Sequence, residues 1–131
     1  GLETVIFRYF NVYGDRQPIN GQYAPVIGIF LRQFAAKQAM TIVGDGEQRR
    51  DFTNVKDIVE ANIRATTYDS VVGEIINVGT GINYSVNEIA KLVGEDHTFI
   101  SERPGESKLS QACTKKIEKL LKFKPDDNMH R

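Results

Sequence analysis

Tryptophan is absent from this chain of 131 residues, cysteine occurs once, histidine twice and proline four times. The single cysteine, Cys113, excludes an internal disulfide framework. With no histidine near it in sequence, it reads as a small half-buried side chain rather than a nucleophile. His97 and His130 are isolated, so no metal-ligand spacing exists. An excess of one charge is missing as well: 17 basic residues face 17 acidic ones. They are interleaved without a single-sign block, which excludes a long-range field for nucleic acid or a membrane surface. No apolar run is long enough to span a bilayer, and no signal peptide opens the sequence. What remains is a globular segment of one domain's size, able to bury a useful core. A cytoplasmic location is expected, with neither nucleic-acid nor membrane partners. The opening Gly-Leu-Glu carries no Met and enters a strand at once, which suggests a piece of a longer protein.

Residues 4–9 are dense in β-branched and aromatic types and predict a buried strand. Pro18, Asn20 and Gly21 mark 15–22 as a loop. Val26, Phe30 and Phe34, with Ile27 and Leu31 alongside, predict a helix over about 24–38. Residues 40–43 form a short strand stopping at the glycines of 44–46, and 52–55 suit another short extended piece. Ile58, Ala61 and Ala65, with Val59 and Ile63 beside them, predict a second helix over about 56–67. The run 73–81, GEIINVGTG, is an apolar strand ending in a glycine-rich turn. Ser85-Val-Asn-Glu88 fits a capping box, opening a helix with Val86, Ile89, Ala90 and Val93 on one face. Residues 98–101 read as extended, and 114–121 as a last helix with Ile117, Leu120 and Leu121 inward. There are no internal repeats. Helices separate strands, so the class is α/β, and the long helical crossover between 4–9 and 75–79 implies that those two strands are parallel.

Three clusters carry chemical interest. RYFNVYG, 8–14, ends a strand on the amide of Asn11. GDGEQRRDF, 44–52, delivers two arginines beside an acid, and ERPGES, 102–107, sets Arg103 before a Pro-Gly turn and Glu106. Two arginines brought from distant turns suit a doubly charged ligand such as a pyrophosphate, since a guanidinium pairs with phosphate oxygens as lysine cannot. A carboxylate such as Glu106 could accept from sugar hydroxyls. Taken alone, Arg-Asp neighbours on a turn are more ordinarily a local ion pair. Gly79-Thr-Gly81 lacks the dinucleotide and Walker patterns and reads as a turn.

In family order, the segments RYFNVYG with Gln17, NGQYAPVI (20–27), GDGEQRRDFTNVKDIVEA (44–61), INVGTG (76–81), SVNEIA (85–90) and RPGE (103–106) cover almost the whole chain. Together they resemble the C-terminal part of the extended short-chain dehydrogenases/reductases, the NAD-dependent nucleotide-sugar epimerases and dehydratases. NGQYAPVI looks most like the UDP-N-acetylglucosamine and UDP-glucuronate 4-epimerases. The resemblance implies the last parallel strands of a Rossmann-type sheet plus the small substrate-binding lobe, a single domain over 1–131, without the N-terminal dinucleotide-binding half. It implies Phe10 near the nicotinamide, Asn11 on the sugar diphosphate, and Pro25 and Val26 on the nucleotide. Thr41 to Val43 would run beside the uracil, Arg50 and Arg103 would hold the pyrophosphate, and Glu106 the ribose. Glu106 stands where members usually carry Asp, and Lys108 and Cys113 stand where an arginine and an aspartate are common.

The family's glycine-rich NAD turn and its Tyr-x-x-x-Lys pair are not in this sequence, and none of Tyr9, Tyr13, Tyr23, Tyr68 or Tyr84 has a lysine four residues on. The expectation is therefore the substrate-binding half of an isomerase, inactive alone. NAD would be held mostly by a partner N-terminal half in cis or in trans, with no cofactor expected for this chain by itself. A stand-alone nucleotide-sugar binding or regulatory module and an inactive relic are the alternatives. An exposed strand edge around Val5 to Arg8 is expected to drive self-association.

Overall fold

Among the described residues, buried apolar side chains fall into two clusters. The computed structural model describes residues 2–21, 24–127 and 129. Its elements in chain order are β1 (Ile6–Tyr9), β2 (Val12–Tyr13), α1 (Val26–Ala35), β3 (Met40–Val43), β4 (Arg49–Arg50), β5 (Thr53–Asn54) and α2 (Val55–Ala65). A 3-10 turn at Asp69–Val71 leads to β6 (Ile75–Val78), β7 (Tyr84–Ser85), α3 (Val86–Val93), β8 (His97–Ile100), β9 (Leu109–Ser110) and α4 (Lys115–Leu121). The first cluster joins Ile27 and Phe30 of α1, Met40 and Ile42 of β3, Phe52, and Val86, Ile89 and Ala90 of α3. The second joins Ile58 and Ala61 of α2, Val71, Ile76 and Val78 of β6, and Ile117 and Leu121 of α4.

β1 and β6 pair in parallel, Ile6 opposite Ile75 through Tyr9 opposite Val78, as the helical crossover between them requires. β3 and β8 are also parallel, Met40 opposite His97, as are β2 and β5. β4 lies between β7, antiparallel to it, and β9, parallel to it. These parallel sheets with helical crossovers place the chain in the α/β class.

Local chemistry sets the helix ends. α3 opens on the expected capping box: the Ser85 hydroxyl accepts from the Glu88 N–H at 3.1 Å, and the Glu88 carboxylate accepts from the Ser85 N–H at 2.8 Å. α2 starts at Val55 because the Asn54 side chain accepts from the Lys56 N–H at 2.9 Å, and it ends two residues before the expected 67. There the Thr66 and Thr67 hydroxyls donate to the Ile63 and Arg64 carbonyls at 2.6 and 2.9 Å, and the Thr66 and Thr67 N–H groups turn to the same carbonyls in i→i−3 bonds that tighten the last turn. α1 is likewise shorter than 24–38, stopping before Lys37 at φ 59°.

Four expectations about burial are corrected. The expectation of a buried strand over residues 4–9 fails: among the described residues β1 pairs only with β6, and Ile6 and Tyr9 are 57% and 49% exposed. Phe34, placed on the inner face of α1, is 57% exposed, because Gln33 takes the buried position after Phe30 and the face turns past Phe34. Val59 and Ile63, placed beside the inner face of α2, point outward. Cys113 is exposed rather than half-buried, since Ala112 takes the inward position and the extended chain alternates.

Candidate ligand-binding site

Between the segment Asn11–Tyr13 that follows β1, the start of α1 and the end of β3 lies a cavity of about 280 Å³. Asn11, Pro25, Val26, Thr41, Val43, Arg50, Arg103 and Glu106 all line it, together with Tyr13, Gln48 and Phe52. Eight residues spread over nearly 100 positions of sequence are thereby brought to one place. Phe10 is not among the lining residues; its N–H donates to the Val78 carbonyl at 3.1 Å and locks the end of β1 to β6. Gln22 and Tyr23, within the NGQYAPVI segment, and His130 lie outside the described residues.

Each wall has a local cause. Asn11 follows β1 at φ 25°, a left-handed conformation that asparagine tolerates and most residues do not. Its carbonyl accepts from the Thr53 N–H at 3.1 Å, which ties the end of β1 to β5. Pro25 caps the N-terminus of α1, whose first turn carries no acidic residue, so the positive end of the helix dipole is unneutralised by its own side chains. Along β3 the even residues face β8: Met40 and Gly44 donate to the Asp96 and Ile100 carbonyls at 2.9 Å. The odd residues therefore face the other edge. There the Gln33 side chain is doubly bonded to Thr41, accepting from its N–H at 3.0 Å and donating to its hydroxyl at 2.9 Å. Gln48 donates to the Val43 carbonyl at 3.1 Å. The Thr41 carbonyl and the Val43 N–H remain on that edge without a partner among the described residues.

The consecutive residues Arg49, Arg50 and Asp51 separate completely. Arg49 turns toward α3, with one nitrogen 3.3 Å from the Glu88 carboxylate, and also bonds the Asn83 side chain. Arg50 lines the cavity and, among the described residues, bonds only the Arg49 carbonyl, at 2.8 Å. Neither Arg50 nor Arg103 has a carboxylate partner among the described residues. The ordinary reading of a local Arg-Asp ion pair is corrected here. Asp51 is fully buried and accepts from backbone and hydroxyl donors: Thr80 N–H at 2.9 Å, Thr80 hydroxyl at 2.8 Å, Gly81 N–H at 2.9 Å and Ala112 N–H at 3.1 Å. An extended chain sends neighbours to opposite sides, so Asp51 faces the Gly79–Gly81 turn while Arg50 faces the cavity. The amides of Thr80 and Gly81 do bind an oxyanion, but it is the protein's own. Gly79 must be glycine here, since a Cβ would lie 2.5 Å from the Ala112 Cβ and 2.9 Å from the Asp51 carboxylate.

Tyr13 lines the cavity, and both it and Tyr84 pack against the first core cluster. Burial pushes the Tyr13 phenol above its ordinary pKa. Tyr84 donates to the Asp127 carboxylate, and burial together with that carboxylate raises its pKa to about 12. His97 is remote from this arrangement, its ring against the Phe99 ring at 5.4 Å. Among the described residues no group of His, Cys, Asp and Glu is placed to hold a metal ion, and no helix is long and apolar enough to cross a membrane. Sequence reasoning missed Gln33 and Gln48, and it noticed Asp51 only as an acid beside the arginines. A glutamine on the inward face of an apolar helix was the available signal for Gln33; nothing local marked Gln48 or the buried role of Asp51.

A family model for the NAD dependent epimerase/dehydratase family matches residues 1–79. A putative UDP-glucose 4-epimerase of Methanocaldococcus jannaschii is 42% identical over 102 residues, 78% of this chain and 32% of that protein. The solved UDP-N-acetylglucosamine 4-epimerase of Methanobrevibacter ruminantium, in complex with UDP-N-acetylmuramic acid, superposes with TM-score 0.87 at 38% identity, covering 97% of this chain and 42% of that one. The UDP-glucuronic acid 4-epimerase of Bacillus cereus, in complex with UDP-glucuronic acid and NAD, gives TM-score 0.86 at 30% identity, covering 95% and 41%. The chain thus spans about a third of the length of the first curated relatives it matches. It belongs to the NAD dependent epimerase/dehydratase family and corresponds to the C-terminal part of that fold.

Proposed function

We propose that this chain is the substrate-binding part of a UDP-sugar 4-epimerase and that the cavity holds the nucleotide sugar. The observation that carries the reading is the meeting of two arginines without carboxylate partners, Arg50 and Arg103, beside the open edge of β3. Two guanidiniums match the charge and geometry of a pyrophosphate, and the unneutralised N-terminus of α1 adds to the positive potential. The Thr41 carbonyl and Val43 N–H present an acceptor and a donor on one edge. Uracil offers the complementary pair, N3–H and O4, whereas cytosine reverses both. Glu106 takes ribose hydroxyls, and Asn11 binds the diphosphate at the end of β1. Relatives solved with UDP-N-acetylmuramic acid and UDP-glucuronic acid support this ligand class.

In this reading the chain grips and orients the sugar, a contribution that lowers a barrier by removing translational and rotational freedom. NAD, when bound to the whole enzyme, supplies reversible hydride acceptance at the sugar. The Gly79–Gly81 turn does not form its phosphate cradle: the Thr80 and Gly81 amides are occupied by Asp51. Phe10 is the residue proposed to lie near the nicotinamide. Proton transfer falls to a Tyr-x-x-x-Lys pair that this sequence does not contain, so the chain alone is inactive and works in the cytoplasm with a dinucleotide-binding half. The exposed face of β1 and β6, with Ile6 57% and Ile75 42% exposed, favours an incomplete sheet over a stand-alone module. Left uncovered, that edge drives self-association.

Calorimetric titration with UDP, UDP-N-acetylglucosamine and CDP tests the proposal. UDP and the UDP-sugar bind, CDP binds about tenfold more weakly because two buried polar groups lose their partners, and Arg50→Ala weakens UDP by about tenfold or more. A folded chain that binds none of them overturns it.

A further inference from the structure

We propose that Asp51 is the positioning residue of the anion site: its buried carboxylate fixes the main chain of Arg50, and so sets where the guanidinium meets a ligand's phosphates. This rests on the reading of the cavity as a UDP-sugar site. Asp51 accepts from Thr80, Gly81 and Ala112, which belong to the turn after β6 and the segment after β9. It also accepts from the Thr53 hydroxyl at 3.3 Å, and the Thr53 N–H holds the Asn11 carbonyl at 3.1 Å. One carboxylate thereby links both chain segments that enter the cavity from the sheet side. Arg50 has little else to aim it, since among the described residues its guanidinium bonds only the carbonyl of Arg49.

The fit leaves no slack. The Asp51 carboxylate lies where even the Cβ of an alanine at position 79 would collide. Asparagine at 51 keeps the shape but replaces one acceptor with N–H donors, which then face donors at Gly81 or at Thr80. The segment must shift to relieve that conflict, and Arg50 shifts with it.

A double-mutant cycle separates positioning from general loosening. UDP affinity is measured by NMR titration for the parent chain, Asp51→Asn, Arg50→Ala and the double variant. Asp51→Asn is expected to weaken UDP about tenfold alone and less than twofold in the Arg50→Ala background, because it acts through Arg50. An equal loss in both backgrounds, or no loss in either, overturns the proposal. If Asp51→Asn does not fold, Thr80→Val carries the same cycle with a smaller expected loss of about threefold. A ligand-free arm reads the heteronuclear NOE of the Arg50 Nε: it falls in the position-51 or position-80 variant, and an unchanged value refutes positioning. A parent chain that fails to bind UDP sinks the site reading itself, and this last arm still decides the role of Asp51.

Discussion

Arg49, Arg50 and Asp51 show how three adjacent polar residues come to do three different things. Arg49 is bonded to Asn83 and paired with Glu88, Arg50 keeps its charge for the cavity, and Asp51 closes the interior. Arg49→Ala is expected to lower stability by no more than about 1 kcal/mol, since half-exposed ion pairs contribute little, and to leave UDP affinity within about twofold. Arg50→Ala does the reverse, with unchanged stability and affinity reduced about tenfold or more. Parallel urea melts and titrations check both halves of that contrast. Asp51→Asn is expected to cost on the order of 3 kcal/mol, because buried donors lose their acceptor. A change under about 1 kcal/mol by urea denaturation would show that the carboxylate is dispensable to the fold. Local sequence could not reveal this division: adjacency suggests an Arg-Asp ion pair, while strand alternation, invisible without the fold, parts them.

At the scale of elements, the helices were legible because apolar residues recur at helical spacing, and α3 also because its capping box is written in four residues. Ser85→Ala should lower stability by about 1 kcal/mol in a thermal or chemical melt, the usual effect of losing such a cap; no change would mean that packing of Ile89 and Ala90 holds the helix end unaided. The strands β2, β4, β5, β7 and β9 are two residues each, too short to carry a period. They exist because distant partners offer hydrogen bonds, as Gln48 to Val86 and Lys108 to Arg49 do. The site's walls stand on these short ladders. Residue chemistry alone therefore marked Asn11, the arginines and Glu106, while Pro25, Val26, Thr41 and Val43 were named through the resemblance of whole segments to a family. Burial was misjudged where composition spoke of a complete sheet: β1 has the residues of a covered strand but, among the described residues, one neighbour.

The whole molecule is two cores joined across the cavity and fastened by the tail. Arg64 donates to the Leu121 carbonyl at 2.9 Å and lies over the Phe123 ring at 4.8 Å, setting α4 against α2. Beyond the buried Pro125, the Asp126 N–H reaches the Asp57 carboxylate at 3.2 Å and Asp127 accepts from Tyr84. The Tyr84 phenol keeps its proton up to about 12 when folded, against about 10 in an unfolded chain. Its contribution is thus complete below the unfolded value and is lost as pH rises through the folded one. The melting temperature should fall more steeply between these values in the parent than in Tyr84→Phe, and equal slopes would contradict the contact. On the open side, Ile6→Lys and Ile75→Lys should reduce the concentration-dependent mass seen by light scattering, since charge on an exposed strand face opposes pairing. A parent chain that stays monomeric at high concentration would contradict that account.

The most direct test of the central claim is an amide and arginine-side-chain NMR titration of the chain with UDP. The account predicts that the Val43 N–H and the Nε–H groups of Arg50 and Arg103 shift together along one saturable curve, with His97 and the β1–β6 face unmoved. Binding that shifts other surfaces and leaves Arg50 and Val43 in place would contradict it.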